Sequence, residues 1–192
     1  MSVLTSLTTD QAPAKSKILL QQVNQQMGFI PNLLAVMAAS PATLESYLSL
    51  AALFEKTSFS VVERQVVLLT ISRYRNCNYC LAAHGSLAKM QKVPTDVINA
   101  VYYDEPLDDP RLEALRQFTN SVLKHQGWVD KPILDEFYSA GFTEQHVLEV
   151  VLAITFKTLS NYVNHINDTA IDPQFMAGLP EPLAESCCVP AA

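Results

Sequence analysis

Apolar residues recur every three to four positions through most of this chain, and that spacing confines it to helices. Ser40-Pro41 places a capping hydroxyl ahead of a proline at the first helical position, before Leu44, Leu48 and Phe54. Ser60 with Glu63 three residues on completes a capping box ahead of Val66, Val67, Leu69 and Ile71. Thr143 opens a long apolar stretch from Val147 to Leu159, and Gly28, Gly127 and Gly141 supply stops. No run shows the two-residue alternation and turn signals of strands. With 5 glycines in 192 residues, a turn-rich β architecture is disfavoured as well. The expectation is an all-α helix bundle.

A chain of 192 residues with 49% hydrophobic side chains suits one domain with a sizeable core. That domain is expected over residues 1–170, followed by a proline-rich, poorly ordered tail over 171–192 that contains Cys187 and Cys188 as incidental thiols. The net charge of −6 argues against general nucleic-acid binding. No apolar run is long enough to span a membrane, and Met1-Ser2-Val3-Leu4-Thr5 lacks the basic and apolar blocks of a secretory signal, so a cytoplasmic protein is expected. The Val147-to-Leu159 segment is apolar around much of its circumference, which suits burial on several sides in a homo-oligomer.

The chemistry concentrates in Asn76-Cys77-Asn78-Tyr79-Cys80, with His84 four residues on. Near a helix start, backbone N–H groups and the macrodipole favour a thiolate. Cys77 and Cys80 are i,i+3 neighbours there, and Cys80 and His84 are i,i+4 neighbours. A dithiol beside a proton carrier is equipped for thiol–disulfide or peroxide chemistry. Two other readings of these residues stand beside it. The thiols could be small buried hydrophobes. A zinc site would need a fourth ligand, from His146 or His165. The βαβ setting of a thioredoxin-like motif is missing.

The stretch Ser60-Val61-Val62-Glu63-Arg64-Gln65-Val66-Val67-Leu68-Leu69-Thr70-Ile71-Ser72, followed by Asn76-Cys77-Asn78-Tyr79-Cys80-Leu81-Ala82-Ala83-His84, resembles the core of the carboxymuconolactone decarboxylase-like superfamily. Within it, the likeness is to the alkylhydroperoxidase D (AhpD) branch, over roughly residues 40–100. Leu159-Ser160-Asn161-Tyr162-Val163-Asn164-His165 resembles the ending of a peroxidase-related subgroup. The resemblance implies an all-α AhpD-like fold, homo-oligomeric assembly and thiol-dependent reduction of hydroperoxides, with no cofactor and no metal. It implies that Cys80 attacks the peroxide, Cys77 resolves the sulfenic acid as a disulfide, and His84 relays the proton. A dithiol reductant, lipoyl-protein-like or thioredoxin-like, would then restore the pair.

The chain departs from that pattern at two positions. A relay glutamate stands twelve residues before the first cysteine in the AhpD branch, and Gln65 occupies that place here. Tyr79 stands where the branch has a histidine. Glu63 is the available acid, and it is also the capping-box residue. On one straight helix it would lie about 25 Å from Cys80, so the chain must bend near Asn76 or a second subunit must supply the acid. The expected catalytic residues are therefore Cys80, Cys77, His84 and Glu63. Tyr79, Gln65, Asn161 and His165 are expected to contact substrate. Two alternatives share the fold: a lactone-acting enzyme of the carboxymuconolactone decarboxylase type, and a redox sensor with little turnover.

Overall fold

The computed structural model describes residues 3–180, and these contain helices and no strand. The first three helices are α1 (Ala14–Met27), α2 (Asn32–Met37) and α3 (Pro41–Phe54). The central pair is α4 (Val61–Tyr74) and α5 (Asn78–Met90). There follow α6 (Thr95–Tyr103), α7 (Pro110–Lys124), α8 (Lys131–Ser139), α9 (Glu144–Asn167) and a 3-10 helix over Pro173–Gly178. The sequence signals act where they were read. Ser40 Oγ accepts from the Thr43 N–H, and Ser60 and Glu63 form the reciprocal capping box. Thr143 and His146 form a similar box, which gives His146 a capping role. Gly28 ends α1 in the left-handed conformation that glycine adopts without strain.

Helix α4 is the axis of the molecule. Every residue from Gln65 to Ser72 is buried, so no face of this stretch meets solvent, and it packs against α5, α6, α7 and α9. One apolar core gathers on the side of α6–α9, where Phe137 stacks between Phe118 and Phe142. A second, smaller core unites α1, α2 and α3 with the start of α5, and it contains Cys77, Tyr79 and Cys80. Asn76, with φ of 51°, reverses the chain between α4 and α5. The two helices then lie side by side and carry the cysteines to the C-terminal end of α4.

The segment expected as tail begins later than residue 171. Asp172 accepts from the Asn32 N–H at the start of α2 and from the Tyr79 hydroxyl, and the 3-10 helix lies along α5. Gly178 and Gly85 make that approach possible. A Cβ on Gly85 would strike the Gly178 carbonyl and the Tyr102 hydroxyl, and one on Gly178 would strike the Ala82 carbonyl. Two glycines 93 positions apart have no local pattern to announce them. Residues 181–192, with Cys187 and Cys188, lie outside the described residues.

Candidate active site

Cys77 is the N-cap residue of α5, and Cys80 sits in its first turn. Both thiols are free and each residue is 2% exposed. Both are therefore closed to an external dithiol, because α1–α3 cover the start of α5. The polar neighbours of the sulfurs come from α9. Asn164 Nδ2 lies 3.4 Å from Cys80 Sγ and 4.0 Å from Cys77 Sγ, and the Ser160 hydroxyl is 3.8 Å from Cys80 Sγ. Lys157, one turn before Ser160, is fully buried and turns its charge toward both thiols and His84.

These neighbours split the two thiols. Burial raises the Cys80 thiol, but the hydrogen bond from Cys77, the Lys157 charge and the Ser160 hydroxyl outweigh it and hold Cys80 well below the usual range. The same pairing, with burial, pushes Cys77 up. The surroundings thus favour the thiolate at Cys80 over Cys77.

His84 makes no hydrogen bond to either sulfur, and its Nδ1 is buried without a partner. Burial first, and the Lys157 charge second, hold it well below its ordinary value, so it is neutral at neutral pH. Protonation then favours the unfolded chain. Stability should fall as pH drops below about 6.5, by up to about 1.4 kcal/mol per pH unit, until the lowered folded value is passed. The difference between wild type and His84→Gln in denaturant titrations from pH 7 to 5 isolates this effect. A constant difference across that range would refute it.

The other expected residues are spread over the fold. Glu63 Oε2 accepts from the Ser60 N–H at 2.7 Å and Glu63 Oε1 pairs with Arg111 at 2.8 Å, with no contact to the dithiol. Within one chain Glu63 therefore serves the cap and the ion pair and does not reach the dithiol. It lies at the start of α4, whereas the cysteines lie beyond the end of that helix. Glu63→Gln should cost about 0.5–2 kcal/mol of stability and leave turnover unchanged. A large rate loss at unchanged melting temperature would contradict the capping role.

Gln65 donates to Gln91 at 2.9 Å, at the far end of α5 from Cys80, so its expected contact with substrate finds no support at the sulfurs. His165 points outward on α9 and is exposed, which removes it from the pocket. Asn161 is fully buried on the dithiol side of α9, and neither its amide oxygen nor its nitrogen has a partner. Tyr79 lines a mostly apolar cavity of about 610 Å³ with His84, Tyr47, Leu34, Phe29 and Phe175. Cys77, Cys80 and His84 do not converge as a metal site, and no such cluster occurs among the described residues.

Sequence reading missed Lys157 and Ser160, which share a helix face with Asn164. Their spacing of three and four residues marks one helical face, and a lysine inside an apolar run was the available signal.

No family model matches the sequence, and no curated protein matches it. Solved structures do match. A peroxidase-related protein from Ralstonia eutropha JMP134, described as an alkylhydroperoxidase AhpD core, superposes with a TM-score of 0.80 at 22% identity, covering 91% of this chain and 94% of that one. A peroxidase-related protein from Silicibacter sp. TM1040 gives 0.76 at 17% identity, over 90% and 93% of the two chains. A variant of the debrominase Bmp8 in complex with 2,3,4-tribromopyrrole gives 0.79 at 19% identity, over 94% and 97%. With the capped α4, the reversal at Asn76 and the cysteines opening α5, these likenesses show that the chain has an all-helical AhpD-like fold.

Proposed function

We propose that this protein is a thiol-dependent peroxidase that reduces hydroperoxides through Cys80 and Cys77. The observation that carries the reading is the polar face that α9 turns to the buried dithiol: Asn164 Nδ2 lies 3.4 Å and the Ser160 hydroxyl 3.8 Å from Cys80 Sγ, and Lys157 is buried on the same face, which favours a thiolate at Cys80 over Cys77. The Cys80 thiolate attacks the terminal peroxide oxygen, the O–O bond breaks, and the sulfenic acid and an alcohol form. The Cys77 thiol then attacks the Cys80 sulfur, an S–S bond replaces the S–O bond, and water leaves. A dithiol donor reduces the disulfide by exchange. Such a cycle needs a reducing compartment, which fits the cytoplasm. Consumption of cumene hydroperoxide with dithiothreitol tests the reading, and no turnover with any peroxide would reject it.

The cavity favours a second reading. Its aromatic and aliphatic lining beside His84 suits a flat apolar substrate, and a structural neighbour is a debrominase bound to a bromopyrrole. The dithiol could reduce an aryl bromide to the arene and bromide ion, becoming a disulfide itself. Bromide release from tribromopyrrole without peroxide turnover would select this reading.

We also propose homo-oligomeric assembly through α9. Leu148 is 69% exposed and Ile166 58%, and with Val151 and Tyr162 they form an apolar stripe along its outer side. Light scattering should give a multiple of 21.2 kDa, and Leu148→Lys with Ile166→Lys should reduce it to the monomer. A wild-type monomer at micromolar concentration would overturn the proposal.

A further inference from the structure

Lys157 is 0% exposed, and its ammonium has no ordinary hydrogen-bond acceptor and no carboxylate partner among the described residues. A buried cation left alone is costly. It shares a buried face of α9 with Ser160, Asn161 and Asn164, two of which touch Cys80 Sγ. The titratable groups facing it are Cys77, Cys80 and His84 from α5, with Tyr47 from α3 beside the same sulfurs. None of these except a thiolate can carry a compensating negative charge near neutral pH. Unpartnered polar atoms collect on this face as well: Lys157 Nζ, both amide atoms of Asn161, and Asn164 Oδ1. Buried polar groups without partners mark a place where a ligand or water completes them.

We propose that Lys157 is the counter-cation of the Cys80 thiolate and the acid that protonates the oxygen departing from the peroxide. The acid role rests on the peroxidase reading, whereas the counter-ion role does not. As the thiolate takes the terminal oxygen, the O–O bond breaks and the alkoxide receives a proton from the Lys157 ammonium, leaving an amine and an alcohol. Cys77 resolves the sulfenic acid with loss of water. The dithiol donor then returns both thiols, and the Cys80 proton passes to the Lys157 amine, restoring the ion pair. His84 does not fill this role, because it is neutral and reaches neither sulfur. It forms part of the cavity wall instead.

The first test is the pH profile of Cys80 alkylation by iodoacetamide in a Cys77→Ser background. Lys157→Met should move the midpoint up by about 1–3 pH units, the range for removing an adjacent opposite charge, and Lys157→Arg should move it far less. The Met profile matching wild type, or Met and Arg shifting equally, would overturn the counter-ion role. The acid role is read at a pH above the shifted midpoint, with both cysteines present. There Lys157→Met has its thiolate again and should still consume cumene hydroperoxide at least about 10²-fold more slowly than wild type. Recovery of the wild-type rate would overturn it.

A melting cycle covers the case in which Lys157→Met fails to fold. Cys80→Ala should lower the melting temperature well below Cys77→Ala, because it strands the cation, and adding Lys157→Met should restore much of the loss. Additive effects would count against the pair. Alkylation and melting need no peroxide, so a wild type that shows the ion pair but reduces no peroxide would reject the peroxidase reading and the acid role together, and leave the counter-ion role standing.

Discussion

Cys80→Ser should reduce peroxide turnover by on the order of 10³-fold or more while the helical fold remains intact. A serine hydroxyl cannot attack an O–O bond to form a sulfenic acid, and Cys77 is a poor substitute. Burial holds the Cys77 thiol up even without a thiol at position 80, and the α9 donors bear mainly on the position-80 side chain. In Cys77→Ser, by contrast, the first chemical step should survive and the second should not. Peroxide should then leave a sulfenic acid on Cys80 that dimedone traps and mass spectrometry reports. Dimedone on Cys77 in the wild type, or undiminished peroxidase activity in Cys80→Ser, would reverse the assignment. Each thiol residue is 2% exposed, so reduction by a folded protein donor also requires the α1–α3 cover to open. Dithiothreitol should accordingly reduce the disulfide faster than a bulky dithiol protein at equal concentration.

Phe137→Ala should cost about 3–5 kcal/mol of stability. Phe137 is fully buried, with ring centroids 4.1 Å from Phe118 and 4.5 Å from Phe142, so truncation empties the middle of a three-ring stack. For a chain of this size the melting temperature should fall by about 6–20 °C. The loss should spread to the start of α4, because the Arg111 guanidinium sits 3.9 Å from the Phe142 ring centroid and pairs with Glu63. The chemistry should not follow. Phe137 belongs to the core on the α6–α9 side, whereas the dithiol belongs to the other, so Cys80 alkylation per folded molecule should match wild type. A melting temperature within about 2 °C of wild type would show that the stack relaxes into the space.

The helices were legible because their signals are local. Ser60 and Glu63 lie within one turn, Thr143 and His146 likewise, and the caps sit where hydroxyl and partner fall three residues apart. The Cys77–Cys80 pair was legible for the same reason, since a helix start fixes which positions are neighbours. The role of Glu63 was not legible because a carboxylate at a helix start serves a cap and an ion pair as readily as a relay. Only the position of Arg111, 48 residues away, decides which. Gln65 went the same way, toward Gln91.

The sequence by itself determined that this chain is helical, where its helices start and stop, and that two thiols share one turn, because those properties depend on groups a few residues apart. Tertiary structure decided what surrounds the thiols. Ser160 and Asn164 reach Cys80 and Cys77 across about 80 residues of chain, Lys157 is buried on the same face of α9, and Asp172 ties the segment after α9 to Tyr79. The charge state of a buried thiol follows from neighbours in space and from exclusion of water. Both are properties of packing, and the order of residues along the chain does not display them.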